Sequence, residues 1–310
     1  MYDIVGKRWW MFLISGILIL ISIISLATPF GRLKLSTEFN SGSRLRINFA
    51  QTVTQSELQQ ELANLGYSSA KIQTEINATG GQGDFLVRTT VLTDETKNAL
   101  VAGLQTKFGN LTVKEFSNVS AEVATQTLRT VGIAVAVAAV FMLLYIAWAF
   151  RKMPHPFRYA TTAIIALLHD VLVAIGIFSI LGGILKWEVD LMFVTGVLTV
   201  LGFSINNTII IFDRIRENTM AGKGSNYEVL INDSLLETIG RTLNTSLVVL
   251  FAVIALMLFV GTSIQNFAIV LLVGIIAGMF DSICVAPQLL VVWEKGEWGK
   301  FIGRKTVAKA

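Results

Sequence analysis

Charge and sulfur are scarce in this sequence. Asp, Glu, Lys and Arg make up 15% of its 310 residues, against about 25% in an ordinary soluble domain. Cys284 is the single cysteine, so no internal disulfide can form, and its place in an apolar run reads as packing. With two histidines and no CxxC, HExxH, GxSxG or Walker-type loop, the chain carries no motif for a metal, a nucleotide or a hydrolase. No cofactor, metal or covalent catalysis is expected. The net charge of +4 is modest, and the basic residues flank apolar runs instead of forming a stripe. Nucleic acid is therefore not an expected partner.

What the chain has in abundance is apolar length. It is 53% hydrophobic with a mean hydropathy of +0.65. Apolar runs cover residues 9–27, 130–150, 158–184, 190–212, 243–261 and 266–293. Each is near or above the roughly 20 residues that a helix needs to cross a bilayer core. The first is too long for a typical signal core, and residues 25–29 (SLATP) make a poor cleavage site, so it reads as an uncleaved span. The expected class is a membrane protein with six transmembrane helices.

Loop charges orient these spans. Lys7, Arg8, Arg151, Lys152, Arg158, Arg214, Arg216 and Lys223 fall on one side, with Lys295, Lys300, Arg304, Lys305 and Lys309 in the tail. The loop at 261–266 has no charge, and the loop at 186–190 has one lysine against two acids. Both termini are thus expected in the cytoplasm. The expected domains are 1–28 (N-terminus and first span), 29–129 (an extracytoplasmic domain), 130–293 (a five-helix bundle) and 294–310 (a basic tail).

Within the extracytoplasmic segment, periodicity predicts strands at 45–49, 70–76, 84–90 and 111–116, with a turn at 77–83. Helices are predicted at 54–65, capped by Thr54 or Ser56, and at 93–108, capped by Thr93 or Asp94. The order βαββαβ is that of an α+β ferredoxin-like unit. No catalytic constellation appears in it, and the fold alone does not define a function.

Ionisable and amide groups inside the spans call for a reason, since a charge in mid-helix costs about 2.5–3.5 kcal/mol on insertion scales. The third span carries His169 and Asp170, a pair suited to moving a proton or cation or to a structural contact between helices. The fourth carries Ser204, Asn206, Asn207 and Thr208, a polar layer that reads as interhelical bonding or a hydrated path. The sixth carries Asp281. Counting from the outer loops puts Asp281 about 16 residues deep and Asn207 about 17, roughly 24–25 Å in each case. Arg241 enters the fifth span at its inner edge, as a partner for that layer or as a snorkelling anchor. Gly196, Gly202, Gly274 and Gly278 allow close helix approach.

Residues 198–218 (LTVLGFSINNTIIIFDRIREN) closely resemble the signature of the SecF family of protein-export membrane proteins, including the cytoplasmic motif Asp213, Arg214 and Arg216. Residues 166–172 (ALLHDVL), 241–246 (RTLNTS) and 285–290 (VAPQLL) extend the resemblance over nearly the whole chain. It implies a bacterial or archaeal inner-membrane subunit that pairs with SecD. Together they form a pseudo-symmetric twelve-span unit similar to RND transporters. It further implies an accessory role to the SecYEG channel, in which a proton gradient (sodium in some relatives) drives preprotein translocation and release.

The chain departs from the family pattern at telling places. The fourth span usually reads Ser-Ile-Asn-Asp-Thr, and the family's candidate ion-coupling Asp is here Asn207. The sixth usually reads Gly-Thr-Tyr-Ser-Ser, and here Asp281 appears. An amide cannot exchange a proton near neutral pH. Asp281 is therefore expected to take over and to face Asn207 and Arg241; the rival is an uncoupled subunit whose partner or Asp170 handles the ion. The expected coupling residues are Asp170, Asp281, Arg241 and His169. Residues 36–42 (STEFNSG) and 119–121 (VSA) lack glycines and a proline usual in the family. The alternatives are a divergent RND-like half that exports a lipid or small molecule, and an assembly factor that moves no ion. The soluble domain is expected to move as a body about linkers at 29–32 and 119–129.

Overall fold

The computed structural model describes residues 2–31, 33–75, 83–152, 155–223, 226–259 and 264–298. Residues 77–82 of the expected turn, residues 261–263 of the loop at 261–266 and most of the basic tail lie outside them. Two compact units emerge: residues 34–134 with 188–191, and the remainder of the chain.

The smaller unit contains a short helix α2 (Thr37–Asn40), strands β1 (Gly42–Phe49), β2 (Lys71–Glu75), β3 (Asp84–Thr89) and β4 (Leu111–Val119), and helices α3 (Gln55–Asn64) and α4 (Asp94–Phe108). The sheet order is β2-β3-β1-β4 with every pair antiparallel, the ferredoxin-like arrangement. Local chemistry sets the helix starts. Thr54 caps α3 in a capping box with Glu57, and Thr93 caps α4 with Thr96, satisfying amides that have no partner within the helix. Leu45, Ile47 and Phe49 alternate inward on β1 and meet Leu58, Leu62, Leu100 and Leu104 from the helices. Phe49 packs edge-on to Phe85 at 5.8 Å and Phe108 at 5.4 Å. A bulge shifts the register between Arg46 and Ile47 on β1, which leaves Lys114 to bond Asp84 at 2.6 Å.

Residues 188–191, between two long helices, join this unit. Val189 bridges Leu35, and buried Glu188 pairs with Arg88 at 3.3 Å and Lys71 at 3.8 Å.

The larger unit holds most of the apolar length. Six helices are long and apolar enough to cross a membrane: α1 (Arg8–Ala27, behind a 3-10 turn), α5 (Ala121–Phe150), α6 (Pro156–Leu185), α7 (Leu191–Met220), α8 (Tyr227–Phe259), and α9 (Gln265–Cys284) followed by α10 (Ala286–Lys295). Helix α5 starts at Ala121, so the supposed linker at 119–129 is the end of β4 followed by continuous helix. Its residues 121–129 are polar enough to fall outside an apolar window yet are mostly sound helix formers. Pro287, which has no amide hydrogen, sits at the start of α10, where none is needed.

Small residues let the helices touch. Ser22 of α1 lies on Gly176 of α6, where an added Cβ would come 2.2 Å from the Ser22 Cβ, and Ser25 bonds Ser179 at 2.7 Å. Val200 of α7 fills the space over Gly274 of α9. A Cβ added at Gly202 would meet nothing within 4 Å among the described residues, and Gly202 is exposed, so no close helix approach depends on it there. At the end of the bundle that bears Arg8, that residue is buried and pairs with Glu228 and Glu297, each at 2.9 Å.

Candidate functional site

The polar core of the bundle is built from helical phase. On α7, Val200, Ser204, Asn207, Thr208, Ile211 and Ile215 are buried, following the i, i+3, i+4 spacing of one face. On α8 the buried face runs through Thr238, Thr242 and Ser246. Helix α6 contributes His169 and Asp170, and α9 contributes Asp281 and Ser282.

Three titratable side chains converge there. His169 Nδ1 lies 3.2 Å from Asp170 Oδ1 and 3.5 Å from Asp281 Oδ1. Ligand atoms of all three residues fall within 4.8 Å of one another. Both carboxylates have 0% of their surface exposed and His169 has 4%. Ser204 donates a hydrogen bond to Asp170 Oδ2. Gly278 makes room for this contact, since a Cβ there would come 3.3 Å from Asp170 Oδ2 and from the Ser204 Cβ. Neither Asp281 oxygen makes a hydrogen bond. Among the described residues, no lysine or arginine pairs with either carboxylate. Two ionised carboxylates at that separation repel by about 3–4 kcal/mol at an effective dielectric near 20, so the cluster requires a positive charge or protons.

The expected grouping of Asp281 with Arg241 does not form. Arg241 is exposed, because α8 turns Thr242 and Ser246 inward and so turns Arg241 out. Asn207 is fully buried and donates to Ser246 at 3.1 Å, while its carbonyl oxygen makes no hydrogen bond. Thr208 donates to the Ser204 carbonyl. Asn206, one residue from Asn207, is exposed, which divides the polar layer between two faces. Asp213, Arg214 and Arg216 lie at the far end of α7 in a network of ion pairs. Arg214 meets Glu237 at 2.5 Å and Glu217 at 2.7 Å, and Arg216 meets Asp213 at 2.7 Å.

The sequence does not single out Thr242, Ser246 or Gln288 as members of the polar core. The i, i+4 spacing of Thr238, Thr242 and Ser246 was a usable signal for the first two. Gln288 is fully buried with both amide atoms lacking a hydrogen bond, and nothing in its spacing pointed to it. The missing metal motif is also explained: His169 and Asp281 lie on different helices, so no short spacing could reveal a group with the donor set of a metal site.

A six-span helical bundle with a buried His-Asp-Asp cluster and a ferredoxin-like unit defines a class: multi-pass membrane proteins with one small α+β domain. Comparison with known proteins narrows this. A family model described as "Protein export membrane protein SecD/SecF, C-terminal" matches residues 100–296. The chain is 40% identical to the protein translocase subunit SecF of Thermobaculum terrenum and 37% identical to that of Anaerolinea thermophila, with 98% of each chain covered in both cases. The crystal structure of SecDF from Thermus thermophilus, a translocon-associated membrane protein, superposes with a TM-score of 0.81 at 28% identity. That match covers 94% of this chain and 38% of the longer SecDF chain. The chain belongs to the SecF family.

Proposed function

We propose that this chain is an accessory subunit of the Sec protein translocase, and that with a SecD-like half it uses a proton or sodium gradient to promote preprotein translocation and release. The observation that carries this reading is a polar outer face on otherwise apolar helices. Asn206 on α7 and Arg241, Asn244 and Thr245 on α8 are all exposed. Their neighbours on α8, Val248 at 69% and Phe251 at 63% exposure, are suited to lipid or to another span. Arginine and asparagine facing acyl chains are costly, whereas a second bundle can bond them. The Bacillus subtilis relative is a SecDF protein, of which this chain matches 39% at 30% identity. That gives the missing half a precedent within a single chain.

The buried amide of Asn207 cannot titrate. We place the gradient-driven step at the face shared with the second half, where a partner carboxylate would meet Arg241. SecYEG and translocating preproteins are the proposed wider partners. The termini are proposed to be cytoplasmic, from the loop charges.

The test is preprotein translocation into inverted membrane vesicles, with and without a protonophore or a sodium ionophore. A gradient-dependent increment that disappears in Arg241→Ala vesicles supports the reading. An increment unchanged both by Arg241→Ala and by deletion of the chain overturns it.

A further inference from the structure

The buried cluster has a chemistry of its own that does not depend on pairing with a second half. The spacing of its ligand atoms is the first observation. Three ligands around one small divalent ion, bonded at about 2.0–2.2 Å in a tetrahedral arrangement, stand about 3.3–3.6 Å apart. The two edges measured from His169 Nδ1, 3.2 and 3.5 Å, lie close to that range, and the edge between the two carboxylates is within 4.8 Å.

The hydrogen bonding of Asp281 is the second, independent observation. This side chain is fully buried, and neither oxygen has a hydrogen-bond partner. Ionised, it has no donor. Protonated, it would have no good acceptor, because 3.5 Å to His169 Nδ1 is long for a hydrogen bond. A bond to a cation resolves both cases. The supporting groups fit as well. Ser204 holds Asp170 by Oδ2 and leaves Oδ1 beside the imidazole, as outer-shell donors do for metal-bound carboxylates. Two carboxylates, a neutral imidazole and one divalent ion sum to zero charge, which an apolar bundle tolerates best.

We propose that His169, Asp170 and Asp281 bind one first-row divalent metal ion, which pins α6 to α9 at the core of the bundle. One imidazole with two carboxylates is a donor set for Zn2+, Mn2+ or Fe2+. Because the site is sealed, the ion would enter during folding and exchange slowly.

Zn2+ is the probe. The full chain is purified in detergent from cells grown with added Zn2+, washed with a chelator, and its metal content measured by plasma mass spectrometry. The expected result is about one Zn2+ per chain, retained through the wash, with at least a tenfold drop in His169→Gln and in Asp281→Asn. The exposed His155→Gln variant should keep the wild-type content. Less than about a tenth of an equivalent in the wild type, or equal content in wild type and His169→Gln, overturns the proposal. Growth with Co2+ reads the wild-type chain directly, so a variant that fails to fold does not spoil the test. Intense visible bands of four-coordinate cobalt support the site, and the weak bands of aqueous cobalt overturn it.

Discussion

His169 Nδ1 of α6 stands 3.5 Å from Asp281 Oδ1 of α9, and Asp281 makes no hydrogen bond of its own. This one contact ties together the two acids that the sequence places in different spans. It also makes Asp281 a liability in any state of the protein where the cluster holds no cation. A buried polar group without a partner costs about 1–3 kcal/mol, more when charged. In protein from metal-depleted growth that carries no metal, Asp281→Ser is therefore expected to raise the thermal midpoint. In Zn2+-grown protein the same change should lower it. Fluorescence-detected melting of both preparations checks the change of sign.

The contact between Gly274 and Val200 sets the approach of α7 to α9. A methyl group at Gly274 would come 2.1 Å from a Val200 methyl, so one helix must give way. Gly274→Ala is expected to destabilise the bundle by about 1–3 kcal/mol. Val200→Ala in the same chain should recover much of the loss, which a double-mutant cycle of melting midpoints measures.

On the outer face, the Arg241 side chain makes no hydrogen bond or ion pair among the described residues, and Arg241→Ala removes none. It is expected to leave the melting midpoint of the isolated chain nearly unchanged while reducing recovery of a SecD-like partner in affinity purification. Equal recovery from wild type and variant would count against the assignment of that face.

In the smaller unit, the carboxyl of Glu57 is held below its usual range, chiefly by the Thr54 backbone amide and then by the Thr54 hydroxyl. The folded value is lower than the unfolded one. The cap therefore contributes fully above the ordinary glutamate range and is lost as pH falls through the depressed value. Amide exchange in the first turn of α3 should speed up on acidification. Thr54→Ala should show the faster exchange already at neutral pH.

Leu58 and Leu62 are fully buried beneath the sheet. Leu58→Ala is expected to cost about 2–5 kcal/mol. Proteolysis of the smaller unit under mild denaturant gives the readout.

Much of this architecture was legible because its signals are local. Span length, loop charge and the caps at Thr54 and Thr93 each act within a few residues, and β1 shows in the alternation of Leu45, Ile47 and Phe49. Four features escaped because they depend on distant chain segments or on helical phase. Residues 188–191 join the smaller unit through Glu188, whose partners Arg88 and Lys71 are far away in sequence. Asn206 and Asn207 were read as one layer, yet a turn of about 100° between neighbours puts them on different faces. The pattern Val200, Ser204, Asn207, Thr208, Ile211 would have shown which one is buried. The same phase argument sends Arg241 outward once Thr242 and Ser246 are taken as the inner face. The meeting of His169 with Asp281 has no sequence signature, since it is set by the packing of α6 against α9.

That this chain is one half of a two-bundle membrane unit can be tested by a photoreactive amino acid placed at Asn244, on the polar outer face, and separately at Leu13, on the apolar outer face of α1. Irradiation of intact membranes should give a covalent adduct with a SecD-like chain from position 244 and none from position 13. Lipid adducts alone from position 244, with the protein otherwise folded, would contradict the account.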